Sequence, residues 1–199
     1  MTRISLVRHG QTDWNLAKRI QGSSDIPLNE TGREQAETTG LAMAGGSYDA
    51  IYASPLSRAT ETAAIIASHT GLDAPLPLPA VAERRYGEAE GLTGAEILAR
   101  WPEGTPVPGR ETREAVVERA LPALVDLAEK HPDESIIVVS HGGVISSLVR
   151  HITSHALPGP GEVIPNGSVH EFVYDDGKLT LDRFNVSTED RDLFTASVL

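Results

Sequence analysis

The chain contains no cysteine. Disulfide frameworks, thiolate metal sites and a cysteine nucleophile are therefore excluded. Basic side chains are scarce: 17 lysines and arginines stand against 28 aspartates and glutamates, a formal charge of −11. A field of that sign disfavours nucleic acid and anionic membrane as partners. An anionic small molecule would have to be recruited by a local cluster of arginines instead. No apolar run is long enough to span a bilayer, and Met1-Thr2-Arg3 leads straight into an apolar segment rather than a signal peptide. Cytoplasmic is the default reading. Internal repeats are lacking too, and the Pro/Gly-rich stretches Pro102 to Gly109 and Leu157 to Gly161 read as loops rather than linkers. What remains, 199 residues of which 40% are hydrophobic, suits one domain over residues 1–199 with a sizeable core.

What is present begins at Ile4. The apolar, partly β-branched run Ile4 to Val7 has the character of a buried parallel strand, and Arg8-His9-Gly10 follows it directly. Open α/β sheets bind ligands just past the carboxyl ends of their strands. There an imidazole can be a nucleophile, a guanidinium beside it can hold an oxyanion, and a glycine lets the backbone come close. An Arg-His pair satisfied by core carbonyls is the alternative for this motif taken alone. The pattern recurs where Ser135 to Ser140 runs into His141-Gly142-Gly143 and a helix-like Val144 to His151. Successive N–H groups in such a turn, opening a helix, make an anion-binding nest; a turn that simply needs glycine is the alternative. After the short strand Ala50 to Ala53 comes Ser54-Pro55-Leu56-Ser57-Arg58-Ala59-Thr60-Glu61-Thr62-Ala63. Ser54 reads as an N-cap and Pro55 as the first helical residue, which puts Arg58 in the first turn near the strand's end. Glu83 to Thr93 is charged and has no clean period, so it reads as a loop, where functional side chains concentrate.

Elsewhere, Glu30 to Ala44 reads as a helix opened by Asn29 or Thr31, with a Thr-x-x-Glu box through Glu34. Thr112 to Lys130 reads as an amphipathic helix with Ala115, Val116, Ala120, Leu121, Leu124 and Leu127 on its apolar side; Pro122 implies a kink or a late start. Val169 to Tyr174 and Leu179 to Phe184 alternate on either side of a hairpin signal, Asp175-Asp176-Gly177-Lys178. Strands alternating with helices argue for a three-layer α/β/α sandwich around a mostly parallel central sheet. His69, His131 and His170 lack partners in sequence and read as surface residues. His151 and His155 stand at helical i, i+4 spacing, but no third ligand or glutamate base accompanies them, and no metal site is read there.

Assembled, these pieces resemble the histidine phosphatase superfamily, the phosphoglycerate mutase-like fold, from Ile4 to about Phe184. The resemblance rests on the Arg-His-Gly start, on Gln21-Gly22 with Asp25 and Pro27-Leu28, and on the Ser-Pro-Leu-x-Arg-Ala-x-Glu-Thr-Ala run. The Glu83 loop and Ser140-His141-Gly142 follow in the expected order. It implies that His9 is the phosphorylated nucleophile and Glu83 the proton donor. Arg8, Arg58 and His141 would form the phosphate pocket, Asn15, Gln21 and Gly22 would line its mouth, and Tyr86 and Gly142 would border it. Those residue types suit phosphoryl transfer, in which catalysis is mainly positioning and stabilisation of charge on the equatorial oxygens. Arg8 and Arg58 supply guanidinium forks, and His141, if protonated, another donor. His9 must present a neutral nitrogen. Glu83 needs a raised pKa, which desolvation by Tyr86 or a bound phosphate would give. No metal and no cofactor is required, the implied partner is a small phosphorylated substrate, and a homodimer is left open.

The superfamily contains phosphatases, which release phosphate to water, and mutases, which return it to a bisphosphorylated intermediate. Glu83-Arg84-Arg85-Tyr86-Gly87 matches the mutase pattern Glu-Arg-x-Tyr-Gly. Arg84 and Arg85 could grip a second anionic group, or be a solvated charge run. Against a mutase, the insertion that follows this loop in that branch has no clear match, and Leu92 to Arg110 holds only Arg100 and Arg110 as basic residues. The tail from Val186 to Leu199 is short and carries Glu189, Asp190 and Asp192, which would repel a doubly phosphorylated ligand. The sequence therefore reads as a metal-independent phosphomonoesterase acting on a small phosphorylated metabolite. Phosphoglycerate mutase is the alternative, and an inactive phospho-ligand-binding or regulatory module is a third.

Overall fold

Strand β4 (Ser135–Ser140) buries Ile136, Ile137, Val138 and Val139 completely. An apolar run buried on both sides requires helices on both faces of the sheet. Ile136 and Val138 join Ile4 and Leu6 of β1 (Thr2–Arg8) in one core, while Ile137, Val139 and Val7 turn to a second. The first core is closed by α5 (Arg113–Lys130) and α6 (Gly142–Ile152), the second by α2 (Glu30–Met43) and α3 (Ser57–Thr70). The three-layer α/β/α sandwich is the direct result of this alternation along two strands. The computed structural model describes residues 1–186 and residue 188; the acidic tail positions Glu189, Asp190 and Asp192 lie outside the described residues.

The parallel part of the sheet runs β3 (Leu76–Pro77), β2 (Ala50–Ala53), β4, β1. The hairpin of β5 (Val169–Asp175) and β6 (Lys178–Val186) adds to the free side of β1 in antiparallel sense. Its turn places Asp176 at φ 46° and Gly177 at φ 77°, the left-handed pair that a tight hairpin needs and that Asp-Gly tolerates best. Register then positions the ligand face. Arg8 pairs with Ser140, and Ala53 with Val139. The strand ends are tied by His9 N–H to Ser140 O and Ser54 N–H to Val139 O, both 3.0 Å. His9, Ser54 and His141 therefore leave the sheet side by side, though they are far apart in sequence.

Several helix boundaries differ from the sequence reading. Asn29, not Thr31, caps α2, its side chain accepting the Gly32 N–H at 2.9 Å. Helix α3 starts at Ser57, and its N-cap Leu56 offers no side chain. Asp25 substitutes from outside, accepting the Ser57 N–H at 2.8 Å and the Ser57 hydroxyl at 2.7 Å, so a carboxylate sits at the positive end of the helix. Helix α5 neither stops nor starts late at Pro122; it runs for 18 residues, with Pro122 on its exposed face. Two short helices had gone unread: α1 (Asp13–Leu16) and α4 (Gly94–Arg100), each opened by a capping box, Thr12 with Asn15 and Thr93 with Glu96.

The three histidines read as surface residues are all partnered. His170 is fully buried beside Phe184, accepts the Asn185 N–H at Nδ1 (3.2 Å) and bonds Ser168 Oγ through Nε2 (3.0 Å). Burial, reinforced by Arg8, holds its pKa down to about 3. His131 bridges the Tyr52 hydroxyl and Glu134, and His69 bonds Glu37. Helix α6 ends at Ile152 and His155 lies beyond it at φ 67°, so His151 and His155 share no helical face.

Candidate active site

Arg8, His9, Asn15, Gln21, Gly22, Glu83, Tyr86 and Gly142 line one cleft of about 390 Å³ at the carboxyl ends of β1 and β4. Arg58 and His141, both completely buried, are not among its lining residues and adjoin His9. Arg84 and Arg85 do not line it. Arg84 Nε is spent on the Glu111 carbonyl at 2.7 Å and its guanidinium lies over the Tyr86 ring, while Arg85 borders a separate depression beside Glu111 and Arg119.

His9 is held on every side. Its Nδ1 lies 2.6 Å from the Gly10 carbonyl, which makes Nδ1 the protonated nitrogen and leaves the Nε2 lone pair free. Burial pushes its pKa well below the ordinary imidazole value, and Arg8 and Arg58 push it further. The loop beneath is pinned by Gly10 N–H to Thr62 Oγ1 (3.1 Å) and by Asn166, whose amide donates to the carbonyls of His9 (2.9 Å) and Gly10 (3.2 Å). A neutral, oriented imidazole is what a nitrogen nucleophile requires.

Around it stand donors with nothing to bond. Arg58 donates through its two terminal nitrogens to the carbonyls of Ser24 (2.8 Å) and Gly22 (2.9 Å), and Arg8 through one to the Ile164 carbonyl. Their Nε atoms, and Nδ1 of His141, are buried without a hydrogen-bond partner. An unsatisfied buried polar group costs about 1–3 kcal/mol, more if charged, so three around one imidazole mark a site built to receive an anion. The ring of His141 lies 5.0 Å from that of His9.

Its protonation differs from the expectation of a charged donor. Burial first, then His9, Arg58 and Arg8, hold the His141 pKa well below its usual value, so the ring is neutral. Ser54 decides which neutral form it takes. The Leu56 N–H donates to Ser54 Oγ at 3.3 Å, and Ser54 Oγ lies 2.7 Å from His141 Nε2. Ser54 is completely buried and its O–H has no other acceptor among the described residues, so the hydroxyl donates to Nε2 and the proton of the ring sits on Nδ1. His141 is thus a neutral donor, and Ser54, read from sequence as a helix cap, is its positioning residue.

Glu83 is held by its own neighbour's N–H (Arg84, 2.7 Å) and by the Gly143 N–H at the start of α6 (3.2 Å). Desolvation nevertheless outweighs these bonds and the charges of Arg58 and Arg8, and its pKa is raised above the ordinary carboxylate value. A Cβ at position 143 would lie 2.4 Å from Glu83 Oε1 and 2.9 Å from the Tyr86 hydroxyl, so glycine there lets the carboxylate keep its place. The loop is clamped from behind by Arg119, which pairs with Glu111 at 2.8 Å and donates to the carbonyls of Ala80 (2.5 Å) and Glu83 (3.3 Å). Glu90 fixes the opposite wall, accepting from the N–H and hydroxyl of both Ser23 and Ser24 and from the Tyr86 N–H. Gln21 accepts the Thr12 hydroxyl at 2.9 Å, and Asn15 takes the Thr12 N–H at 3.1 Å.

Residues 4–187 match the histidine phosphatase superfamily (branch 1). The chain belongs to that superfamily. It is similar to an uncharacterised phosphatase, PhoE, of Bacillus subtilis, 40% identical over 153 residues that cover 77% of this chain and 78% of the relative. It is 34% identical over 199 residues to a metal-independent phosphoserine phosphatase of Arabidopsis thaliana, covering 93% of this chain and 82% of that one. Among solved structures, a mycobacterial glucosyl-3-phosphoglycerate phosphatase in complex with VO3 superposes with a TM-score of 0.82 at 30% identity, covering 93% of this chain and 99% of that one. Phosphoglycerate mutases dependent on 2,3-bisphosphoglycerate also match, at 32% and 33% identity. The relatives of this histidine phosphatase superfamily chain thus include both enzyme types, and a phosphatase or mutase activity is supported.

Sequence reasoning missed Ser54, Glu90, the Glu111–Arg119 clamp, and three arginines of the cleft wall, Arg19, Arg113 and Arg150. Arg150 had a signal: Gly143, Ser146 and Arg150 are spaced i, i+3, i+7, one stripe without apolar side chains on a largely apolar helix. Arg113 and Arg19 had none. Among the described residues no group of three or more histidine or carboxylate side chains is placed to hold a metal ion, and no helix is long and apolar enough to cross a membrane.

Proposed function

We propose that this protein is a metal-independent phosphomonoesterase acting on a small phosphorylated metabolite through a phosphohistidine at His9. The observation that carries the reading is the set of unpartnered buried donors, Arg8 Nε, Arg58 Nε and His141 Nδ1, around a neutral imidazole whose Nδ1 is fixed on Gly10. In the first step His9 Nε2 forms a bond to phosphorus as the ester P–O bond breaks. Protonated Glu83 gives its proton to the leaving alkoxide, and the arginines and His141 take up the charge of the equatorial oxygens. In the second, water attacks phosphorus, the P–N bond breaks, and the Glu83 carboxylate accepts the proton of water.

Phosphoglycerate mutase is the second reading, favoured by the further arginines of the cleft. Hydrolysis is supported over it because no residue between Gly87 and Thr112 lines the cleft, and a mutase needs a cover that keeps water from the phosphohistidine. The test measures inorganic phosphate from a panel of monoesters beside the isomerisation of 3-phosphoglycerate primed with 2,3-bisphosphoglycerate. Phosphate release that vanishes in His9→Ala, with phosphate found on His9 after a quench that avoids acid, is the expected result. Isomer formation faster than phosphate release on every ester would overturn it.

A further inference from the structure

Beyond the phosphate pocket, the same cleft carries two cations that form no ion pair among the described residues. Arg113 is the first residue of α5 and Arg150 lies in the last turn of α6. Arg113 donates to the hydroxyls of Ser146 (3.1 Å) and Ser147 (3.4 Å), which are neutral, and Arg150 Nε is buried without a partner. Burial lowers the Arg113 pKa, and the charges of Arg84, Arg150 and Arg110 lower it further. Crowded guanidinium groups in a chain of charge −11 are costly unless an anion joins them.

Of the other charges at the outer part of the cleft, Arg19 is paired, and the exposed carboxylate of Glu162 forms no ion pair with Arg113 or Arg150. Arg19 pairs with Glu96 at 3.3 Å and donates to the Gly91 carbonyl at 2.6 Å, and Glu162 accepts the Gly159 N–H at 2.9 Å. Tyr86 stays a neutral phenol, its pKa pushed up to about 12 by burial and by Glu83.

We infer that Arg113, Ser146 and Arg150 form a second anion subsite, so that the preferred substrate is a small phosphomonoester bearing a carboxylate or second phosphate on the same carbon frame. The inference rests on the phosphatase reading for its first anion. Helix α6 ties the two subsites rigidly together. Gly143, which positions Glu83, and Arg150 are about 10 Å apart along the axis. An arginine side chain on a helix leans back toward the N-terminus, which brings the guanidinium over the turn of Ser146. The second anion then lies about one helical turn, roughly 5 Å, along α6 from the Gly143 N–H that holds Glu83, a span a three-carbon frame can cover. A neutral alcohol or sugar in that place would leave both guanidinium groups unpaired.

The test uses three esters that differ at one end only: glycerol 3-phosphate, 3-phosphoglycerate and glycerol 1,3-bisphosphate. Values of kcat/KM are measured for the wild type, Arg113→Gln and Arg150→Gln, and Kd by calorimetry for the same variants in a His9→Ala background. A charge-assisted hydrogen bond is worth roughly a factor of 10 to 150. The wild type is expected to favour one anionic ester over glycerol 3-phosphate at least 10-fold, and each variant to bring that ratio down toward one. The favoured ester tells carboxylate from phosphate. A wild-type ratio near one, or a proportional loss on all three esters in both variants, overturns the subsite. The two readings fail separately. Phosphate released equally from all three esters leaves a phosphatase without the subsite. Selective Kd values with isomer formation and no phosphate release leave the subsite on a mutase.

Discussion

Replacing Glu83 with Gln separates the two chemical steps, because the carboxyl group serves as acid in one and base in the other. The amide keeps the shape and can still accept the Arg84 N–H through its oxygen, but its NH2 cannot accept from Gly143 N–H and has no acidic proton to give. A positioned acid contributes about 10²–10⁴-fold, equivalent to roughly 3–5 kcal/mol of barrier. That loss should fall in full on kcat/KM for an alkyl phosphate such as glycerol 3-phosphate, whose leaving alkoxide needs the proton. With p-nitrophenyl phosphate, whose leaving group departs unaided, kcat/KM should drop less than about 10-fold. Stopped-flow with that ester should show a burst of one nitrophenol per site followed by slow turnover, since water then lacks its base. The pH profile gives an independent check. Activity needs neutral His9, whose pKa is depressed, and protonated Glu83, whose pKa is raised. The wild-type kcat/KM should therefore rise through a pKa below the usual imidazole value and fall through one above the usual carboxylate value; E83Q should lose the falling limb. Stability follows the same sign. A carboxyl group whose pKa is raised by folding supports the fold at low pH, and this support fades as pH climbs through the folded value. At neutral pH E83Q should melt at or above the wild type. An equal loss on both esters with no burst would refute the assignment of Glu83.

Ser54→Ala removes the hydroxyl that sets the His141 tautomer, a bond worth about 1 kcal/mol plus the cost of an unsatisfied Nε2. It should lower kcat about 10-fold and weaken vanadate binding while the protein stays folded; a change under twofold would mean that Ser54 only packs. At Gly10 a Cβ would lie 2.1 Å from the Gly32 carbonyl oxygen, and both sides of that contact are backbone. Gly10→Ala should cost about 3 kcal/mol, roughly 6–12 °C in Tm for a chain of this size; an unchanged melting curve would show that the two loops separate freely. Dialysis against a strong chelator should leave the rate unchanged, and vanadate should inhibit, because its trigonal-bipyramidal adduct imitates the transferring phosphoryl group. A loss restored by one divalent metal would contradict the mechanism.

Much of the site is local chemistry and could be read before folding was considered. An apolar run that ends in His-Gly declares both the strand and the residue at its mouth, and this held for β1 with His9 and for β4 with His141. The hairpin turn was legible for the same reason, since Asp176-Gly177 meets a backbone requirement within a few residues. Boundaries were less so. Ser54-Pro55 has the chemistry of a helix start, yet the hydroxyl is claimed by His141, 87 positions away, and Asp25 caps the helix instead. His170 shows the same limit: nothing near it in sequence predicts burial, but its pairing with Leu6 of β1 sets it inside the sheet, covered by Phe184 of β6. Arg84 and Arg85 were attractive as neighbours of Glu83, and the Glu111–Arg119 clamp turns both away from the cleft. Arg113 and Arg150, unremarkable on their own helices, enter it from two elements that meet only in the fold. Periodicity and residue type thus determined the inner strands and the placing of His9 and His141 at their mouths, because each depends on a few adjacent residues. Tertiary structure decided the tautomer, the raised and lowered pKa values and the extra arginines, because each is an interaction between groups that chain connectivity leaves far apart.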